Sequence, residues 1–270
     1  MKTTVRGKSG CALLAAEVAG SGDPLVFLHA RVADRRMWHH QMRAFADSHQ
    51  AVAYDRRGFG ETTATAEDYS AVEDLMSVLQ ATSNGSPAIL VASSQGGGIA
   101  LDAALRYPGH VRALVLIASS VTGAPKLAHA AQVEDLLHRL AQAEAMHELK
   151  EALAIRTRLW LDGPFQFDGR VTGEARALFE EMNTIALGLP AVGRNVDAAG
   201  AYGSLDKLSV PTLVMCGDLD LPGIDERSQY IATNVPGASF KRMAGAAHLP
   251  SLEQPLAVTR EIGAFIDGLP

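Results

Sequence analysis

The chain has 270 residues, enough to bury roughly three quarters of the surface that its unfolded form exposes. A hydrophobic fraction of 47% and a charged fraction of 20% belong to a folded globular protein and exclude long disorder. A net charge of −6 and a pI of about 5.8 provide no basic face for nucleic acid.

The apolar runs, such as residues 113–118, are far too short to span a membrane. The opening residues, MKTTVRGKSG, show no apolar core of a secretion signal, so a cytoplasmic protein is expected. Cys11 and Cys216 have no metal-site spacing. They are expected as two buried thiols in a reducing compartment, with a disulfide between them left open.

In chain order, residues 3–5 and 12–18 read as a hairpin-like pair around Gly7 to Gly10. Short apolar runs at 24–29, 50–54, 88–92, 111–117, 212–216 and 238–243 suit buried strands. Helical patterns fall between them. The first covers 36–46, with Trp38, Met42 and Phe45 on one stripe. The second covers 72–81, opened by Ser70 as N-cap with Glu73 in capping-box position. The third covers 97–106 and stops at Tyr107–Pro108–Gly109. Two more cover 224–234 and 256–267. This alternation predicts an α/β protein with a mostly parallel, doubly wound sheet. Ligands of such sheets bind beyond the carboxyl ends of the strands.

Residues 124–205 break the rhythm, with helical periods at 130–153 and 175–187 and no strand pattern. About 80 residues is too long for a plain loop. The stretch reads as a helical cap inserted into a core made of residues 1–123 and 206–270. Leu159, Trp160, Leu161, Phe165, Phe167, Met182 and Leu187 are candidate walls of a substrate pocket beneath it, and they suit core packing equally well.

The sharpest local feature is Ala92–Ser93–Ser94–Gln95–Gly96–Gly97–Gly98, between a strand and a helix. A small-x-Ser-x-Gly turn exposes its serine at a helix N-terminus, where N–H groups favour developing negative charge. Ser94 has small residues at −2 and +2, whereas the rival Ser93 has Val91 at −2. The missing Gly-Lys-Ser/Thr ending argues against a phosphate loop.

A serine hydroxyl needs a positioned base. Of nine histidines, His248 follows the last strand in a loop of small residues closed by Pro250. The acid should end another strand, which favours Asp220, with Asp218 and Asp225 as competitors. Asp220 and His248 are 28 positions apart, about one strand–helix–strand unit, so both reach one sheet edge with Ser94.

The order Ser…Asp…His, with Leu28–His29–Ala30–Arg31 and Asp55–Arg56–Arg57–Gly58–Phe59–Gly60, resembles the α/β-hydrolase family over nearly the whole chain. The resemblance implies a Ser94–His248–Asp220 triad and an oxyanion hole of the Arg31 and Gln95 N–H groups. It makes His29 a structural residue of the oxyanion loop and Asp55 and Arg57 turn-stabilising. Ala30, Arg31 and Ala92 depart from the usual residues. The Arg31 side chain either faces solvent or lines the site for an acidic substrate group. The expected activity is hydrolysis of a small or medium carboxylic ester or lactone through an acyl-serine, with no cofactor and no metal. Perhydrolysis, acyl transfer or carbon–carbon bond hydrolysis would use the same triad, and a non-catalytic ligand receptor is the alternative of another class. The expected partner is a small molecule, without nucleic acid or membrane, and a homodimer stays open.

Overall fold

The computed structural model describes residues 1–198 and 200–270; Ala199, inside the expected cap range, lies outside the described residues. The first hairpin forms as its pattern predicts: β1 (Lys2–Arg6) pairs antiparallel with β2 (Leu13–Ala19). The remaining strands are β3 (Pro24–Leu28), β4 (Gln50–Tyr54), β5 (Ala88–Ser93), β6 (Val111–Ile117), β7 (Thr212–Gly217) and β8 (Ser239–Met243). They make one eight-stranded sheet in the order β1-β2-β4-β3-β5-β6-β7-β8, antiparallel at β1–β2 and β2–β4 and parallel elsewhere.

Both faces of the sheet are covered, which explains why its inner strands read as unbroken apolar runs. Successive side chains point to opposite faces. Leu25, Phe27, Ile89 and Val91 pack with Met42 and Phe45 of α1 (His39–Phe45). Val258 and Ile262 of α9 (Pro255–Asp267) share that face. Val26, Leu28, Leu90 and Ala92 pack on the other side, against Leu75 and Leu79 of α2 (Ala71–Ser83) and Ile99 and Ala103 of α3 (Gln95–Arg106). Each buried Val or Leu contributes about 1.5–3 kcal/mol relative to an exposed one. A polar residue at Val91, at the centre of this stack, would forfeit that and add an unpaired group.

Local rules set the element ends. Ser70 caps α2 by accepting the Glu73 N–H at 3.0 Å. The capping box is only half formed, because the Glu73 carboxylate accepts from Arg106 at 2.8 Å and from the Tyr107 hydroxyl instead. Asn84 ends α2 in the left-handed region at φ 51°. The expected helix at 36–46 begins with a tighter turn, Arg35–Trp38, before α1.

The helical stretch between β6 and β7 holds α4 (Ala131–Ala145), α5 (Leu149–Arg156), a π-helical turn (Thr157–Asp162) and α6 (Gly173–Gly188). The single helix expected at 130–153 is therefore two. His147, at φ 58°, donates to Glu144 at 3.3 Å while Glu148 donates to Ala143 at 2.8 Å. That is a Schellman stop with histidine in the place usually taken by glycine.

After α6 the chain returns along the core: the Tyr69 N–H donates to the Arg194 carbonyl, the Val196 N–H donates to the Tyr69 carbonyl, and Ala201 and Leu205 join the α2–α3 side of the core. The last helices are α7 (Pro222–Asn234), the short α8 (Pro250–Glu253) and α9. No helix among the described residues is long and apolar enough to cross a membrane. Both cysteines are free, and Cys11 is exposed rather than buried because it lies in the turn before β2. Burial pushes the Cys216 thiol far above its usual range.

Candidate active site

β5 ends at Ser93 and α3 starts at Gln95, so Ser94 occupies the turn by itself. Its φ of 52° with ψ of −117° is a strained backbone for a residue with a side chain. The surroundings hold it there: the Ser94 N–H donates to Ile117 at 2.9 Å, and its carbonyl accepts from Gly97 and Ser120, both at 3.0 Å. Gly96 must be small, since a Cβ there would lie 2.7 Å from the Leu28 carbonyl oxygen. Ser93 is fully buried with its hydroxyl unpartnered, whereas Ser94 opens on a cavity.

His248 stands in the loop after β8, and Asp220 in the loop after β7. The Ser94 Oγ lies 2.9 Å from His248 Nε2, and His248 Nδ1 lies 2.8 Å from Asp220 Oδ2. An ionised carboxylate only accepts, so Nδ1 carries the ring proton and Nε2 is left to accept from the serine. Asp220 Oδ1 accepts the Leu221 N–H at 2.7 Å, which fixes the carboxylate's rotation. His248 and Asp220 are 3% and 6% exposed, so water competes little for these bonds. Such a chain can move a proton from a hydroxyl to an imidazole beside a buried anion. Asp218 is exposed and accepts the Gly245 N–H at 2.7 Å, and Asp225 pairs with Arg242 at 2.7 Å; neither bonds His248.

Next to the serine, the Gln95 N–H begins α3 and has no acceptor within the helix. The Arg31 N–H donates to no protein atom among the described residues. Ala30 keeps a negative φ, so the loop does not need the glycine it lacks. His29 is buried, and burial pushes its pKa well below the usual histidine value, assisted by the Arg56 charge. The neutral ring accepts the Arg56 N–H at Nε2, 3.0 Å away, and donates from Nδ1 to the Ala30 carbonyl at 2.7 Å. Asp55 accepts the N–H groups of Arg35 and Glu61, both at 2.8 Å, and Arg57 grips Asp74 at 2.7 Å. A Cβ at Gly60 would strike the Asp55 carboxylate at 2.1 Å, which explains the glycine closing this turn.

A cavity of about 260 Å³ lies over the serine. Arg31, Val32, Ser94 and His248 form its floor, while Leu137, Leu140 and Glu144 of α4, Arg156 of α5 and Trp160 form its other wall. Of the wall residues suggested by the sequence, Trp160 is there. Phe165 and Phe167 are not: they are 47% and 69% exposed, on the turns that follow Gly163. Met182 is not either; it faces the core, where its sulfur accepts the Asp34 N–H at 3.3 Å. Leu159 and Leu161 are fully buried in packing. A larger groove of about 380 Å³, between α3 and residues 200–210, is not lined by Ser94, Asp220 or His248.

The sequence model of the alpha/beta hydrolase fold matches residues 23–255. The chain belongs to the α/β-hydrolase family. It is 28% identical over 244 residues to the non-heme chloroperoxidase CPO-A1 of Kitasatospora aureofaciens, covering 85% of this chain and 86% of that protein. It is 23% identical over 251 residues to 3-oxoadipate enol-lactonase 1 of Acinetobacter baylyi, covering 91% and 89%. Among solved structures it is similar to the esterase RhEst1 of a Rhodococcus species, with a TM-score of 0.81, 21% identity and coverage of 100% and 99%.

For an α/β hydrolase, three features of this site were not foreseen. Glu253 is buried and accepts the N–H groups of Ala247 at 3.0 Å and Leu249 at 3.2 Å, the two residues flanking His248. Arg170 of the insert pairs with Glu253 and donates to Gly245 at 2.9 Å, tying the histidine loop to the helices above. Asn183 donates to Val32 at 2.8 Å and accepts from Arg156 at 3.1 Å, and Arg156 pairs with Glu144 at 2.6 Å. Full accounting of backbone N–H groups in the histidine loop is the only signal that could have pointed to Glu253.

Proposed function

We propose that the protein is a serine hydrolase that cleaves a small or medium carboxylic ester or lactone through an acyl-serine intermediate. The observation that carries this reading is the unbroken Ser94–His248–Asp220 chain at 2.9 and 2.8 Å at the base of a cavity. His248 Nε2 takes the Ser94 proton as Oγ attacks the carbonyl carbon. Asp220 holds the ring and stabilises its cationic form. The Arg31 and Gln95 N–H groups receive the tetrahedral oxyanion. The imidazolium gives its proton to the leaving alkoxide, and His248 then activates water to release the acid.

The helical insert at 124–205 acts as the cap. Its contribution to the cavity combines apolar Leu137, Leu140 and Trp160, which suit a hydrocarbon group, with Glu144 and Arg156, which are paired with each other. A volume of 260 Å³ lies below the roughly 300–1,000 Å³ of sites for drug-sized ligands, which favours short chains. A series of p-nitrophenyl esters and lactones, ordered by chain length, tests this. Turnover should be highest at the short end and fall once the acyl chain exceeds the cavity. An absence of turnover across the whole series would remove the hydrolase reading and leave a ligand receptor.

Arg31 lines the cavity and has no ion-pair partner among the described residues. Replacing it with alanine keeps the backbone N–H and removes the charged side chain. Arg31→Ala should raise KM for a dicarboxylic acid monoester about three- to tenfold more than for the neutral ester of equal length, up to about 1.4 kcal/mol. Equal shifts for the two esters would mean that the side chain does not read acidic groups.

Perhydrolysis is the second reading, favoured by the 28% identity to a chloroperoxidase. The acyl-serine would transfer its acyl group to hydrogen peroxide instead of water and yield a peracid. Peroxide added to an acetate reaction should then produce peracid in wild type and none in Ser94→Ala.

A further inference from the structure

Arg56 breaks the pattern set by the other buried arginines. Arg35 faces Asp55, Arg57 faces Asp74 at 2.7 Å, and Arg156 faces Glu144 at 2.6 Å. Arg56 is only 8% exposed, yet it has no carboxylate partner among the described residues. Its Nη1 donates to the Gln95 side-chain oxygen at 2.8 Å and its Nη2 to the His29 carbonyl at 3.1 Å. The guanidinium sits 4.9 Å over the Phe59 ring, which in turn meets His29 edge-on at 4.8 Å. Its Nε has no partner among the described residues. Burial lowers its pKa to about 10, which leaves it charged at neutral pH.

An isolated buried cation is unfavourable unless something compensates it. The two segments that Arg56 holds are the two that carry the proposed oxyanion donors. Gln95 supplies one N–H itself, and His29 lies two residues before the other, at Arg31. The segments already touch at Gly96, where a Cβ would meet the Leu28 and His29 carbonyl oxygens at 2.7 and 2.8 Å. One rigid planar group with donors on two sides suits such a clamp. The missing negative charge would then be the oxyanion, present only while the carbonyl carbon is tetrahedral. A positive charge fixed to the two segments that carry those donors would favour the charged transition state over the neutral ground state.

We propose that Arg56 is a positioning residue of the oxyanion site, clamping the Gln95 and His29–Arg31 segments together and supplying the counter-charge to the developing oxyanion. The proposal rests on the acyl-serine reading given above.

The test compares Arg56→Met, Arg56→Lys and Gln95→Leu with wild type on a short p-nitrophenyl ester. Binding of a trifluoromethyl ketone, which forms a tetrahedral oxyanion on the serine, is the second measurement. Arg56→Met should lower kcat about 10- to 100-fold, less than the loss of a direct donor, with KM within about threefold. Its affinity for the ketone should fall by a similar factor. Arg56→Lys should recover part of the rate, because charge is retained while the two-sided clamp is lost. Gln95→Leu should lose about 3- to 10-fold, since one arm of the clamp is gone while the Gln95 N–H is replaced by that of leucine. This variant keeps Arg56 in place and serves if Arg56→Met does not fold. Unchanged kcat, a change in KM alone, or equal losses in the Met and Lys variants would overturn the proposal. If wild type itself neither turns over the ester nor binds the ketone covalently, the acyl-serine reading fails instead.

Discussion

Replacing Ser94 with alanine should lower kcat on a short p-nitrophenyl ester by about 10⁴- to 10⁶-fold. The substitution removes the oxygen that partners His248 Nε2 at 2.9 Å, and among the described residues no other hydrogen-bonds that nitrogen. Ser93 is fully buried on the other side of the turn. The Ser120 hydroxyl is already committed to the Ser94 carbonyl at 3.1 Å. Stability should change little. Alanine carries the same Cβ at φ 52°, and the backbone bonds to Ile117, Gly97 and Ser120 stay in place. The net loss is one side-chain hydrogen bond, about 1 kcal/mol. A serine-reactive phosphonate should add one adduct to wild type and none to Ser94→Ala, by intact mass. An adduct that survives the substitution, or a kcat within tenfold of wild type, would remove Ser94 from the nucleophile's role.

The strands and the elbow were legible because their causes are local. Buried parallel strands require apolar runs such as 88–92, and the strand-to-helix turn requires small residues at Ala92 and Gly96. The meeting of Ser94, Asp220 and His248 was readable from spacing, since each lies in the turn or loop that follows a strand. The cavity wall was much less legible. Trp160 and Phe165 look alike as isolated aromatics, and only the π turn at Thr157–Asp162 and the bend at Gly163 send one inward and the other to solvent. A wide turn of that kind reflects packing rather than composition. Glu144, Arg156 and Asn183 read as polar helix positions until tertiary contacts draw them into the wall or against the oxyanion loop. Glu253 is hidden for the same reason. A glutamate in a short helix near a proline looks solvated, and only the fold reveals that it serves the two peptides beside His248. The α4–α5 break was missed because His147 does the work of a glycine.

Asp220→Asn should lower kcat at pH 7 by about 10⁴-fold, while Asp218→Asn should stay within about threefold of wild type, under 1 kcal/mol. The difference follows from counting acceptors. Asp220 uses both oxygens, Oδ2 for His248 Nδ1–H at 2.8 Å and Oδ1 for the Leu221 N–H at 2.7 Å. An asparagine has one oxygen and one NH₂ group. If the oxygen stays on Leu221, the NH₂ group faces Nδ1 and drives the ring proton to Nε2, where the imidazole can no longer accept from Ser94. If the amide turns over, its NH₂ group opposes the Leu221 N–H, two donors face each other in a buried site, and the loop must shift. Either outcome removes the base. Asp218 uses one oxygen on the Gly245 N–H at 2.7 Å, in an exposed position, and an asparagine carbonyl can accept the same bond. Activity of Asp220→Asn should recover partly as pH rises, where hydroxide can take over part of the base's role, and the Asp218 variant should show no such trend. A large loss at Asp218 with Asp220→Asn nearly unaffected would transfer the orienting role from one carboxylate to the other.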